Sequence, residues 1–191
     1  MIHEASVVML EGPYDPRSIC NLMLDEADRN ETPITHLALQ KLLYFTHALY
    51  LTRTKKPLVT GYFEAWQHGP VHPGAYTAFK MAGARPIGFR AERQNPLTGE
   101  RSPLSKPADQ FVIRLVRDVM ASYGPMTPSR LRDISHAKGA PWDCVVSEGR
   151  KTAVFGLRIS DDIIMDKFQH HKVSVGRSQT IEDPSEDRPF A

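Results

Sequence analysis

The sequence predicts an α+β protein dominated by helices, with about six helices around a central apolar helix and a small antiparallel β element. Three observations support this class. Residues 35–54 are apolar over more than half of a helical circumference, which is typical of a helix packed on several sides. Other segments repeat apolar residues at the spacing of amphipathic helices. Residues 62–67 alternate as a short strand does, with aromatic residues on both faces.

The first two helices have clear start signals. Asp15 is a capping residue, and Pro16 suits the first helical position because an N–H there has no partner within the helix. Thr35 is the predicted cap of the central helix, and Pro57 marks its end. These signals predict two helices in succession near the N-terminus.

The next segment predicts a strand that turns sharply into a helix. Pro70 closes the strand of residues 62–67, and Pro73 opens a short helix. Aromatic residues of strands usually pack inward. We therefore expect Trp66 in the core, with Gly69 and Pro70 orienting the corner.

Residues 84–107 differ in composition from the rest of the chain. They are rich in proline and contain a turn signal at residues 95–99, so residues 87–90 and 101–104 are candidates for the arms of a hairpin. We interpret the segment as a surface ribbon or a mobile loop. Its basic residues form a possible contact surface: Arg85, Arg90, Arg93 and Arg101.

Helical patterns return in the C-terminal half. One runs through residues 108–123, and a second is capped by Thr127 and ends at Gly139. A loop containing Pro141 and Trp142 follows, and Ser160 then caps a last helix. The predicted organisation is an N-terminal extension over residues 1–14, one domain over residues 15–172 and a flexible polar tail over residues 173–191.

Composition excludes several classes of protein. The chain has 191 residues, enough for one domain with a real core. A net charge of +2, from 24 basic and 22 acidic residues, does not suggest a dedicated nucleic-acid binder. The sequence contains neither a signal peptide nor an apolar run that could span a bilayer. We expect a cytoplasmic protein.

The usual signatures of catalysis are missing from the sequence. Pro70 interrupts the segment between His68 and His72, so these two histidines do not share a helix face, and no HEXXH motif is present. The sequence also lacks the GxSxG turn and the glycine-rich phosphate loops. We therefore expect no metal, no cofactor and no enzymatic activity, although a catalytic pair built from distant residues would not be visible in one sequence.

Two separate blocks of sequence resemble a known family. The first contains LQKLLYF at residues 39–45, KPL at residues 56–58 and EAWQHGPVHPGAY at residues 64–76. The second is LRDISHAKGAPWD, with its characteristic residues Leu131, Ser135, His136, Pro141 and Trp142. Together they resemble the Panacea domain, known from SocA-like antitoxins and phage-associated proteins. The resemblance extends over roughly residues 15–168.

This resemblance implies a bacterial or phage antitoxin that neutralises a co-encoded toxin by binding it directly, with no catalytic activity. The residues that it singles out define the fold and are possible contacts with the partner: Glu64, Trp66, His68, Gly69, Pro70, His72, Tyr76, His136, Pro141 and Trp142. The tail of residues 173–191 is a possible entry point for a cellular protease. A DNA-binding regulator that would use the arginine-rich segment and, less favoured, a small hydrolase stay open as alternatives.

Overall fold

The computed structural model describes residues 12–152 and 157–168. Its helices are α1 (Pro16–Arg29), α2 (His36–Thr54), α3 (Pro73–Phe79), α4 (Gln110–Tyr123), α5 (Pro128–Ser135), α6 (Pro141–Thr152) and α7 (Asp161–Lys167). Its strands are β1 (Phe63–Trp66), β2 (Gly69–Val71), β3 (Glu92–Gln94), β4 (Arg101–Pro103) and β5 (Arg158–Ile159). A short 3₁₀ turn, Lys80–Ala82, follows α3. The helix-dominated α+β class is confirmed.

The described residues contain seven helices rather than about six. The additional helix is α6, in a segment that we interpreted as a loop containing Pro141 and Trp142. Pro141 is the first residue of that helix, where its fixed φ is compatible with helical geometry. Gly149 lies within α6 opposite Leu157, and a side chain at this glycine would overlap the leucine. This close approach, which depends on the tertiary structure, explains a glycine inside a helix.

The central helix is α2, as predicted. Its side chains are buried around the whole circumference, and α1, α3, α4, α5, α7 and β2 all pack against it. Thr35 caps it by accepting a hydrogen bond from the Ala38 N–H. The helix ends at Thr54, and the positive φ of 59° at the next residue, Lys55, terminates the regular backbone.

The other predicted caps are also present. Asp15, Thr127 and Ser160 each accept a hydrogen bond from a backbone N–H in the first turn of α1, α5 and α7. These bonds satisfy donors that have no partner inside the helix. One boundary is different: α5 ends at Ser135, four residues before the predicted end at Gly139.

Two small antiparallel sheets complete the fold. The first has the order β2-β1-β5, with Trp66 opposite Gly69 across a two-residue turn. The second contains only β3 and β4 and is called the β3–β4 hairpin below. Its turn at residues 95–99 is as predicted, but its first arm is residues 92–94 rather than residues 87–90. The preceding residues are instead attached to the body of the protein, where Ile87 N–H donates to the carbonyl of Ile34.

The described residues, 12–152 and 157–168, include no helix that combines the length and the hydropathy needed to cross a bilayer. Residues 1–11 and 169–191 lie outside the described part of the chain. The predicted N-terminal extension falls largely on them, and the tail of residues 173–191 falls on them completely. The domain boundaries and the role of the tail in proteolysis therefore stay predictions.

Candidate functional site

The turn between β1 and β2 brings the chain back toward the central helix. We call residues 66–72, together with the side chains that contact them, the Gly-Pro corner. Gly69 has a φ of +105°, in a region that side chains with a Cβ rarely adopt. Pro70 follows in β2 opposite Ala65. The glycine allows the tight turn, and the sheet holds the corner in place.

A buried lysine and a buried serine fill the space beside Gly69. Lys41 of α2 donates from Nζ to the carbonyl oxygen of Pro70 at 3.0 Å, and its side chain is 0% exposed. Ser135, the last residue of α5, donates to the carbonyl oxygen of Arg132 at 2.7 Å. Both side chains come within about 3 Å of the position that a Cβ on Gly69 would occupy. The corner is therefore closely packed as well as tightly turned.

Trp66 packs inward, in agreement with the expectation from the sequence. Its indole N–H donates to the carboxylate of Glu64 at 2.7 Å, two residues earlier on the same face of β1. Its ring lies against Tyr76 of α3, with centroids 4.7 Å apart, and Tyr76 in turn packs against His36 at the start of α2. This row of rings joins β1, α3 and α2.

Trp142 joins the two sequence blocks. Its indole N–H donates to the carbonyl oxygen of Trp66 at 2.8 Å, and this bond is buried. His136 stacks on Trp142, with ring centroids 3.6 Å apart and an angle of 6° between the planes. Pro141, which begins α6, is also buried. The second block therefore covers the first, and the two form one structural unit.

His72 has a structural role that fixes its tautomer. Its Nε2 donates to the carbonyl of Thr60 at 2.8 Å, so its Nδ1 is the acceptor that caps α3 through the Ala75 N–H. Its backbone N–H donates to the side chain of Gln40 in the central helix. Burial lowers the pKa of His72, because a charged ring would lose hydration. The neutral ring is the form that caps the helix.

Two further histidines are held neutral by their surroundings. Burial, partly opposed by a backbone hydrogen bond at Tyr76 and reinforced by the charge of Lys41, lowers the pKa of His36 to about 4. Burial, with the charges of Lys41 and Arg132, lowers the pKa of His136 to about 3. The Nε2 atoms of both rings are buried without a hydrogen-bond partner. These environments disfavour protonation in the folded state.

The remaining candidate residues lie elsewhere or nearer the surface. His68 is half-buried in the two-residue turn of the Gly-Pro corner. Arg90 forms ion pairs with Asp25 and Asp28 of α1, so it attaches its segment to the body of the protein. The other three arginines of the predicted basic surface are exposed: Arg85, Arg93 and Arg101. The structure thus separates the Gly-Pro corner from the arginine-rich segment.

Sequence reasoning missed several residues of the corner. Lys41 lies in the LQKLLYF segment, and a lysine on a helix that is apolar all round could have been recognised as a buried cation. No local pattern indicated that it would bind the Pro70 carbonyl, which is distant in sequence. Gln40, whose side chain accepts from the His72 N–H, had no distinguishing signal of its own.

The chemistry available at the corner is limited. No group of three or more histidine, cysteine, aspartate or glutamate side chains in residues 12–152 and 157–168 is arranged to hold a metal ion. Lys41 and Ser135 are 0% and 1% exposed, and each directs a hydrogen bond at a backbone carbonyl. These groups stabilise the fold around the corner.

Replacing Trp142 with phenylalanine tests the joint between the two blocks. We expect the free energy of unfolding of Trp142→Phe to fall by about 2 kcal/mol, since the buried Trp66 carbonyl loses its donor. Trp66→Phe is a matched control, because its N–H bonds only to a half-buried carboxylate, and we expect a loss of about 1 kcal/mol. Urea denaturation measures both, and a larger loss for Trp66→Phe would contradict this assignment.

Comparisons with known proteins gave two matches. Residues 39–143, which contain most of the Gly-Pro corner, match the family model described as antitoxin SocA-like, Panacea domain. The chain is 41% identical over 175 residues to Antitoxin SocA of Caulobacter vibrioides (strain NA1000 / CB15N), an alignment that covers 92% of this chain and 93% of that protein. No solved structure matches the chain. The resemblance inferred from the two blocks is confirmed, and the chain belongs to the SocA-like antitoxin family with a Panacea domain.

Proposed function

We propose that this protein neutralises a toxin encoded beside its own gene by direct protein–protein binding, without chemical change to the toxin. One observation carries the proposal: large apolar side chains are exposed within a single short segment. Met81 is 83% exposed, Phe89 38% and Leu97 94%, and all three lie within residues 81–97. Exposed apolar residues that are concentrated in one region are typical of surfaces that bind another protein.

The only other large apolar residue exposed to this degree in the described part of the chain is Tyr62. Its ring already has an intramolecular partner, since the guanidinium of Arg158 lies 3.8 Å from the ring centroid. The Met81–Leu97 segment therefore holds three of the four large apolar residues that are exposed in the described part of the chain.

The segment is attached firmly at its base. The Asn21 side chain donates to the carbonyl of Ala91 at 2.8 Å and accepts from the Ala91 N–H at 2.9 Å. Arg90 binds two carboxylates of α1. Because these contacts restrict the segment before any partner arrives, binding costs less conformational entropy.

The corner favours binding over catalysis. A nucleophile or a general base must reach its substrate. Lys41 and Ser135 are closed off from solvent, and their hydrogen bonds are directed at the carbonyls of Pro70 and Arg132. We therefore assign the corner a structural role and place the contact with the toxin elsewhere.

Stoichiometry distinguishes the proposal from an enzymatic mechanism. The product of the adjacent gene is expressed alone and with this chain, and growth is measured. The two proteins are then purified and the toxin's activity is titrated. We expect a stable complex and neutralisation that is complete at a fixed molar ratio. A neighbour that stops growth but forms no complex, or neutralisation by a small molar fraction of this chain over time, would overturn the proposal.

Two variants of the corner test the same distinction. Ser135→Ala and His136→Phe remove the polar groups that a hydrolase would use, but they leave the exposed segment intact. We expect both to bind and neutralise the toxin as the wild type does, with Ser135→Ala less stable by about 1 kcal/mol because one hydrogen bond is lost. Circular dichroism shows whether each variant is folded. A folded Ser135→Ala that binds but does not neutralise would favour the hydrolase.

A further inference from the structure

The exposed segment carries cations as well as apolar side chains. We define the hairpin surface as the exposed leucine and arginines of the β3–β4 hairpin: Arg93, Leu97 and Arg101. Leu97 lies in the turn of the β3–β4 hairpin, at the end opposite the attachment at Ala91. Phe89 stacks on Phe79 of α3, with ring centroids 5.9 Å apart, and this contact holds its ring against the body of the protein.

The cations of residues 85–106 fall into two groups. Arg90 and Lys106, at the base of the hairpin, both form ion pairs with Asp25. Arg85, Arg93 and Arg101 form no ion pair within the part of the chain that the structure describes, although Arg93 lies within electrostatic range of Asp15. The outer arginines therefore have their donors available for a partner.

Two carboxylates limit how strongly this surface attracts opposite charge. Glu92 and Glu100 are exposed on the same hairpin, so the excess of unpaired positive charge is small. Apolar contact must then supply most of the affinity, while the arginines select and orient the partner. Arginine is suited to that task because its planar guanidinium binds a carboxylate through two parallel hydrogen bonds.

We infer that the hairpin surface is the docking site for the toxin, and that the matching surface of the toxin is an apolar hollow bordered by carboxylates. Leu97 fills the hollow, and Arg93 and Arg101, which project from opposite faces of the hairpin, pair with carboxylates on opposite sides of its edge. The inference rests on the proposed direct binding and adds the location and the chemistry of the contact.

The arrangement of the hairpin supports a protein partner over a nucleic acid. Arg101 pairs across the ladder with Gln94, and Arg93 pairs with Ser102, so the two arginines lie on neighbouring strands close to the turn that holds Leu97. Because successive residues of a strand face opposite sides, their side chains project from opposite faces of the hairpin, one on each side of the turn. A phosphate backbone would attract the arginines but offers no apolar hollow for an exposed leucine. An apolar anchor with arginines around it is the composition found at the centres of protein–protein interfaces.

Two variants of the surface separate the apolar contribution from the electrostatic one. We expect Leu97→Asp to weaken the Kd for the product of the adjacent gene by about 30-fold or more, since an anchor residue is replaced by a charge. We expect the double variant Arg93→Glu, Arg101→Glu to weaken it by about 10- to 100-fold. The loss in the double variant shrinks as NaCl rises from about 50 mM to about 500 mM, because salt screens the reversed charges.

A matched control reverses the charge of two arginines that lie outside the hairpin surface. Arg53 of α2 and Arg150 of α6 are exposed, and the double variant Arg53→Glu, Arg150→Glu makes the same change in net charge. We expect its Kd to stay within about threefold of the wild type. The substituted side chains on the hairpin are exposed, so all three variants should unfold at temperatures close to that of the wild type.

The location is tested independently by photo-crosslinking. A benzoylphenylalanine at position 97 should form a covalent adduct with the toxin, whereas the same group at position 53 should not.

If the wild type binds the toxin while Leu97→Asp binds equally well, the inference fails and the proposed function stands. If the wild type does not bind, the proposed function fails. Binding of duplex DNA that is lost in the arginine variant and kept in Leu97→Asp would indicate a nucleic-acid surface and overturn the inference.

Discussion

We expect Gly69→Ala to lower the free energy of unfolding by roughly 2–5 kcal/mol, one of the two largest effects that the structure predicts. Two causes act together. The backbone φ of +105° is strained for any residue that has a Cβ. In addition, the new Cβ would lie 2.6 Å from Ser135 Oγ and 3.1 Å from Lys41 Nζ, both closer than van der Waals contact allows.

The corner has little freedom to relieve this overlap. If Ser135 turns away, it gives up its hydrogen bond to the Arg132 carbonyl. If Lys41 moves, a fully buried ammonium group leaves the Pro70 carbonyl. An unsatisfied polar group in the interior costs about as much as the overlap itself. Neither adjustment is therefore expected to rescue the variant.

Gly139→Ala is the matched control for the backbone contribution. Gly139 has a positive φ of 78°, but nothing lies within 4 Å of the position of an added Cβ. We expect this variant to lose only about 1–2 kcal/mol, the cost of the left-handed backbone alone. Guanidinium denaturation compares the two. Equal losses would show that the contacts of Gly69 with Ser135 and Lys41 are unimportant.

The second large effect is acid destabilisation. Between about pH 7 and about pH 5 we expect the free energy of unfolding to fall by up to about 4 kcal/mol, roughly 2 kcal/mol each from His36 and His136. The pKa of His36 in the folded protein is about 4 and that of His136 about 3, both below the ordinary value of 6.5. His72 acts in the same direction, since its pKa is also lowered.

The direction follows from proton binding in the two states. Above about pH 6.5 these histidines are neutral in both states, so the full stability is present. As the pH falls below this value, the unfolded chain binds protons that the folded protein does not, and stability is lost down to the folded pKa values of about 4 and about 3. The free energy of unfolding should therefore decrease steadily over this range.

His136→Phe removes one of the groups that bind a proton in the unfolded chain, so it measures the contribution of that group alone. Phenylalanine keeps an aromatic ring against Trp142, and the histidine Nε2 has no hydrogen-bond partner to lose. Near pH 5 the slope of stability against pH should be smaller by about 1.4 kcal/mol per pH unit, the value for one proton. Val112→Ala, which shortens a fully buried side chain of α4, should lower stability without changing the slope. An unchanged slope in His136→Phe would contradict the assignment.

The Gly-Pro corner and the hairpin surface suggest a division of roles for an antitoxin of this family. The corner is joined to α2 and α6 through buried hydrogen bonds, and Ser135 of α5 packs beside Gly69. The hairpin surface, attached to α1, is the part that we propose to meet the toxin. Substitutions at the corner should then act through stability, whereas substitutions on the hairpin should act through affinity.

Much of the fold could be predicted from the sequence because its signals are local. Asp15, Thr35, Thr127 and Ser160 act as caps through bonds to residues within three positions of each in the chain. The apolar circumference of α2 predicts its central position, since a helix without a polar face must be surrounded. The glycine and proline of the corner likewise indicate a turn through their own backbone preferences.

Contacts between residues distant in sequence were decided by the tertiary structure. The bonds from Lys41 to Pro70 and from Trp142 to Trp66 span 29 and 76 positions, and no local spacing predicts them. Arg90 was expected at a basic contact surface, yet the fold places it against Asp25, where its charge is paired. A side chain's type and neighbours in sequence set its local conformation, but its burial, partners and pKa depend on which segments the folded chain brings together.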